Sequence, residues 1–263
     1  MTNLLSNLYK GRHILKSLLI KDIKAKYAGS ILGPLWVITT PLYQIFLYTF
    51  IFSTILRVRF DDGGTSSFVV YLLAGLIPWL FFSEATIRGV SAFLENGNLI
   101  KKVKFPAEIC VISAILSATI TFSIYIILYS AILIYMNIFN PQTFVLFILP
   151  FTIQLLLIFG LSLGLGSIAV FFRDITQMVG MILNLFFFLT PIVYPANIIP
   201  ENVKWLFHIN PFYFIIEIYR NLMVRGVLPD INLFIYPTIF SVVIFFLGYY
   251  VFFKTKRAFM DIL

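Results

Sequence analysis

Cysteine occurs once in this chain of 263 residues, as Cys110 inside an apolar stretch. A lone thiol excludes an internal disulfide and a cysteine-built metal framework, and its place reads as packing. The phosphate cradle GxxxxGK[ST] does not occur, so an ATP-driven machine would have to find its nucleotide site on another chain. HExxH and zinc-ligand spacings are missing too, and nothing reads as a hydrolase nucleophile elbow, which leaves soluble-enzyme chemistry without a foothold. Charge is scarce: 11% of residues are charged, against roughly 25% in soluble domains. Segments of about ten residues alternating apolar and polar are absent, which excludes a membrane β-barrel. The first thirty residues carry Lys, Arg and His throughout, so no cleavable signal peptide is expected.

What is there is apolar mass. Hydrophobic residues make up 60% of the chain and aromatics 18%, and several runs approach the roughly 20 apolar residues a bilayer-crossing helix needs. With no water in the bilayer core, the backbone has to satisfy itself in helices. The expected fold is therefore an all-α integral membrane protein. Its six spans fall at about 35–56, 68–85, 107–136, 143–172, 178–194 and 233–253, with residues 1–30 as a cytoplasmic interfacial helix and 31–263 as the membrane domain.

Charge orients these spans. Six crossings place fourteen basic residues on one side (Lys10, Arg12, Lys16, Lys21, Lys24, Lys26, Arg88, Lys101, Lys102, Lys104, Arg173, Lys254, Lys256, Arg257) and five on the other (Arg57, Arg59, Lys204, Arg220, Arg225). By the positive-inside rule both termini are cytoplasmic. The formal charge of +8 is thus spent on topology, and a nucleic-acid partner is not expected.

Two segments depart from simple spans. At 100° per residue, Ile14, Leu15, Leu18 and Leu19 share one face of a basic helix that runs toward Gly33-Pro34, the pattern of a helix lying on a membrane; a solvated basic segment is the plainer alternative. Asp22 and Lys26 fall on the apolar side, where i,i+4 spacing lets each neutralise the other. Residues 195–231 are too long for a turn and too apolar for a free loop. Two short helices broken at Asn210-Pro211 would fit, either re-entering the membrane or lying on it.

Candidate functional groups are few. Glu84, Arg88 and Glu108 are ionisable residues near span ends, where pairing explains them better than a proton relay. Gly160, Gly164 and Gly166 have no lysine after them and read as close helix packing. Gln44, Gln154 and Asn184 either line a path or bond between helices. Tyr43, Phe46 and Phe50 share a face of the first span, and Trp79 and Phe82 a face of the second. Flat aromatic faces suit sugar rings, though packing or lipid contact also accounts for them.

Taken together, these segments resemble the membrane subunits of ABC transporters that export polysaccharides, namely the O-antigen, capsule and teichoic-acid permeases. The matching residues are Asp22 to Trp36 (DIKAKYAGSILGPLW), Ala74 to Phe82 (AGLIPWLFF), Asn98 to Pro106 (NLIKKVKFP), Phe172 to Ile175 (FRDI), Thr190 to Pro195 (TPIVYP), and Asn210-Pro211 with Arg220. The resemblance implies six spans, an N-terminal interfacial helix and re-entrant helices before the last span. It implies a homodimer in the bacterial inner membrane working with two copies of a separate ATPase, which would hold the ATP and Mg; no cofactor is expected on this chain. By the same carry-over, Lys21, Lys24, Lys26 and Tyr27, with Leu99, Lys101, Lys102 and Phe105, would touch that ATPase, and Arg173 and Asp174 would lie near the contact. The first and fifth spans would line the path of a lipid-linked glycan; separately, the aromatic faces described above make Tyr43, Phe46, Phe50, Trp79 and Phe82, with Asn184, the lining candidates. A membrane enzyme acting on lipid-linked sugars is a rival, but its acids would be scattered at Glu84, Glu95, Glu108 and Asp174. An ATP-independent carrier is another, and no internal repeat supports it.

Overall fold

The computed structural model describes residues 12–27, 29–30, 33–55, 68–102, 105–194, 196 and 199–262. Among the described residues all regular structure is helical. Within those residues four helices are long and apolar enough to cross a membrane: α3 (Phe68–Glu95), α5 (Glu108–Tyr135), α7 (Ile148–Phe171, extended at its start by the short α6, Pro141–Val145) and α11 (Asn232–Thr255). The segments expected as first and fifth spans form shorter helices. These are α2 (Trp36–Thr49), prolonged by a wider helical turn at Phe50–Ile55, and α8 (Asp174–Phe188). The fifth segment thus begins earlier than the apolar run suggests and ends at Phe188, because Asp174 opens a helix while the chain turns at Leu189–Tyr194. The second runs on to Glu95, since burial against neighbours carries its polar last turns.

α3 is the centre of the bundle. Val70 to Trp79 are buried continuously, and α5, α7, α8 and the short α10 (Pro211–Arg220) pack around it. Pro78 lacks an N–H for the Ala74 carbonyl, so α3 loses a rung of its ladder there. Nearby, Gln154 Nε2 donates to the Pro78 carbonyl at 2.7 Å while its Oε1 accepts from Tyr219 at 3.1 Å. Gln154 is thereby a bond between helices.

α7 and α11 meet along a glycine seam. A Cβ on Gly160 would lie 2.6 Å from the Phe245 Cα, and one on Gly248 would lie 2.0 Å from the Gly160 oxygen. Gly166 turns instead toward the Val90 carbonyl of α3, 3.1 Å from where its Cβ would be. The packing reading of these glycines holds: small residues let membrane helices approach closely.

α1 (Arg12–Tyr27) does not lie free. Leu18 is buried, Ile14 and Leu15 pack on the core, and the helix docks on α5. After the fifth helix, α9 (Lys204–His208) is exposed, and the break expected at Asn210-Pro211 is present. Asn210 caps α10 by accepting from the Phe212 N–H at 3.0 Å, and Pro211 occupies the first turn, where its missing donor does no harm. α10 is buried along Phe212, Ile215, Ile216 and Tyr219, continues in a wide turn at Asn221–Arg225, and stops at Gly226 with φ of 64°.

Candidate coupling surface and translocation face

One end of the bundle gathers the charged groups. Arg88, near the end of α3, reaches Asp22 of α1 at 3.6 Å and Glu84 at 3.9 Å, while Ser113 of α5 donates to Asp22 at 3.5 Å. Asp22 therefore has a partner across the fold, and the expected pairing with Lys26 lies outside the described residues. Glu108, buried at the start of α5, pairs with Lys256 at 3.7 Å. Asp22 and Glu84 thus share Arg88 while Glu108 has its own lysine, and among the described residues no three acidic, His or Cys side chains converge to hold a metal.

The residues proposed to touch an ATPase fall on this end. Lys21 and Lys24 are exposed on α1, and Lys21 Nζ reaches Asn96 Oδ1 at 3.5 Å, which sets α1 beside α4 (Gly97–Lys102). Lys26 and Tyr27 close α1, but their side chains lie outside the described residues. On α4, Lys101 and Lys102 project outward, whereas Leu99 and the following Phe105 are half-buried against the core. Arg173 and Asp174 are exposed at the turn between α7 and α8. The last helix, α12 (Phe259–Ile262), packs on both α4 and α7, with the Phe259 ring 5.0 Å from Phe93. Sequence reasoning passed over this contact and the Arg88–Asp22 pair. An acid placed on an apolar helix face was the available signal.

The lining candidates separate into two groups. Tyr43 and Phe46 are 62% and 65% exposed on α2, and Phe46 stacks on the exposed Phe50 at 5.8 Å between centroids. Asn184 is exposed on α8 beside Met181, Leu185 and Phe188. Trp79 and Phe82 are instead buried, with centroids 5.2 and 4.1 Å from Phe212 of α10. They border an apolar cavity of about 160 Å³ shared with Phe186 and Leu157. The structure thus joins Trp79 and Phe82 to α10, and does not join them to the exposed face of α2.

Below α10 the carbonyl ends of the chain leaving α8 are tied down. Arg220 donates through Nη2 to the Pro191 carbonyl at 2.7 Å and the Ile192 carbonyl at 3.2 Å, with its Cζ 3.7 Å from the centre of the Tyr71 ring. Asn210 Nδ2 donates to the Thr190 hydroxyl at 2.7 Å. Against the expectation from motifs, Gly160, Ser162 and Gly164 do carry the spacing of a hydrolase elbow, but they sit in unbroken helix. Ser162 is buried against Gly89, where a methyl would lie 2.1 Å from its oxygen, so no substrate reaches it.

A bundle whose described residues include four helices fit to cross a membrane, with a basic, polar end, has the build of a membrane transport subunit. The family model of the ABC-2 type transporter matches residues 13–224, and the chain belongs to that family. It is 31% identical over 246 residues to the O-antigen export system permease protein RfbA of Klebsiella pneumoniae, covering 92% of each chain. It is 30% identical to the RfbA of Myxococcus xanthus, covering 88% of this chain and 87% of that one. With the polysialic acid transport protein KpsM of Escherichia coli the identity is 26%, over 89% and 90%.

Proposed function

We propose that this chain is the permease subunit of an ATP-driven exporter that moves a lipid-linked polysaccharide of the O-antigen type outward from the cytoplasmic side. The carrying observation is similarity to O-antigen export permeases over nine-tenths of both chains. The similarity to a polysialic acid transport protein keeps capsular polysaccharide as a second reading within the same mechanism, and a teichoic-acid precursor is a third of the same kind.

In this reading ATP and Mg sit on two copies of a partner ATPase, and the chain works as a homodimer in the bacterial inner membrane with both termini inside. Six crossings are supported by the length of α2 with its extension, whose 14 and 6 residues reach about 30 Å at 1.5 Å per residue. α8, at 15 residues, is completed by the turn that Asn210 and Arg220 hold. Re-entrance of the segment after α8 is supported by Phe212, which meets Trp79 and Phe82, roughly 16–21 Å along α3 from its Phe68 end at that same rise. A helix start at that depth is tolerated only where protein surrounds it. The dimer is supported by the exposed apolar faces of α2 and α8, which a second copy would cover to enclose a path lined by Tyr43, Phe46, Phe50 and Asn184. Uncharged aromatic walls let a polymer slide, because weak contacts are remade at each sugar. Closure of the ATPases would reach the spans through α1 and α4, and Arg88 is the group that links α1 to α3.

Deleting the gene should remove the surface glycan and leave its lipid-linked precursor inside the cell. The purified protein should bring an ATPase whose hydrolysis depends on it. A protein that purifies with no ATPase, or surface glycan that persists without the chain, would defeat the reading.

A further inference from the structure

A second cavity, of about 240 Å³, opens between α2, α3 and α5. It differs in kind from the apolar one beside Phe212. Its wall carries the indole of Trp36, the hydroxyls of Thr40 and Ser83, the amide of Gln44, the carboxylate of Glu84 and the phenol of Tyr125. Trp36, Thr40 and Gln44 recur every fourth residue and so share one face of α2, beside the face that bears Tyr43, Phe46 and Phe50. At the inner end the Tyr125 hydroxyl donates to Gln44, which ties α5 to α2. At the other end Glu84 meets Arg88, and through it Asp22 of α1. The cavity therefore leads from the charged end of the bundle toward its middle.

We propose that this cavity binds a glycosyl unit of the transported chain, as an uncharged, hydroxyl-rich ligand; the proposal rests on the reading of the protein as a glycan exporter. Trp36 and Thr40 lie exposed at its mouth, where a ring can reach them directly, and Tyr125 closes it as a buried wall. A carboxylate accepts from neighbouring hydroxyls, an amide and hydroxyls serve the rest, and an indole takes the C–H face of a ring. Two carboxylates, Asp22 and Glu84, stand around one guanidinium, so the local charge disfavours a phosphate and favours a neutral sugar. The volume is below the roughly 300–1,000 Å³ of pockets for drug-sized ligands, which suits a single ring. A sugar hydroxyl on Glu84 competes with Arg88 for that carboxylate, so occupancy is felt at Asp22 on the helix proposed to meet the ATPase.

The test uses the permease–ATPase complex in cells that make the glycan, with photoreactive p-benzoylphenylalanine at Thr40 or Ser83 and, as control, at Ile127, which is exposed on α5. Illumination should attach glycan at Thr40 or Ser83 about tenfold more than at Ile127, the ratio expected when one site binds and the other only meets lipid by about one charge-assisted hydrogen bond. With native side chains otherwise, Glu84→Gln should raise about tenfold the concentration of lipid-linked glycan that half-maximally stimulates ATP hydrolysis. Equal capture at all three positions, capture of phospholipid alone, or an unchanged half-maximal concentration in Glu84→Gln overturns the cavity as a sugar site. Surface glycan scored in the same cells separates the two readings: export that depends on the chain without capture sinks only the cavity, whereas export that ignores the chain sinks the exporter.

Discussion

Arg220 is the largest side chain wholly shut inside the fold among the described residues, at 1% exposure, and its removal has a calculable effect. Two charge-assisted hydrogen bonds to the Pro191 and Ile192 carbonyls contribute about 1.5–3 kcal/mol each, and stacking on Tyr71 adds about 0.5–2 kcal/mol. Relief of the buried charge offsets part of this, because an isolated guanidinium is costly to desolvate. For Arg220→Met we expect a net loss of about 3 kcal/mol, a factor of roughly 150 in the folded ratio. Gly75 supplies the control. A methyl there would lie 3.1 Å from Arg220 Nη2 and 3.3 Å from Ile216 Cγ2, so Gly75→Ala displaces the guanidinium and costs about 1–3 kcal/mol by overpacking. In the Arg220→Met background the flexible thioether yields, and Gly75→Ala should lose at least half its effect. The assay is unfolding by sodium dodecyl sulfate in mixed micelles, followed for the four members of the cycle. Equal effects of Gly75→Ala in both backgrounds would show that Arg220 does not hold this junction.

Gly248→Leu should abolish recovery of folded protein by forcing α11 off α7, while Gly180→Ala, which meets nothing within 4 Å among the described residues, should leave it within about 1 kcal/mol of the parent in the same unfolding assay. Asp22→Arg should lower glycan exported per ATP hydrolysed, and adding Arg88→Asp should restore part of it; the pair is partly exposed, so the stability change should stay near 1 kcal/mol. Reversing the charges of Lys21, Lys24 and Lys26 together should uncouple hydrolysis from export, and intact coupling would reduce α1 to an anchor. Alanine at Tyr43, Phe46 and Phe50 together should cut surface glycan several-fold with assembly unchanged, as measured by co-purification; undiminished glycan would remove these rings from the path.

Much of the fold was legible because period and charge survive translation into contacts. The apolar runs gave α3, α5, α7 and α11, and the glycines of α7 announced a close neighbour. The helix break was readable from Asn210-Pro211, since a capping side chain and an imino acid leave few alternatives. What stayed hidden depends on partners remote in sequence. Asp22 looked misplaced until Arg88 and Ser113 met it, and Trp79 looked like a wall residue until Phe212 packed against it. Periodicity says which residues share a face, not which surface that face meets, so the exposed and buried aromatic sets could not be told apart. The cavity beside Gln44 was invisible for the same reason: its seven polar and aromatic groups come from three helices.

The glycine seam between α7 and α11 has a mechanical consequence. Backbones in contact leave no compliant layer of side chains between them, so these helices, with α3 packed on Gly166, behave as a stator. Deformation during a transport cycle then falls on the loosely seated members, α2 above all, whose Gln44 is pinned to Tyr125 by a single hydrogen bond. In the proposed exporter the width of the path would then be set at α2 and α8 without disturbing the frame, and a lineage could refit it to thinner or bulkier polymers by changing those two helices alone.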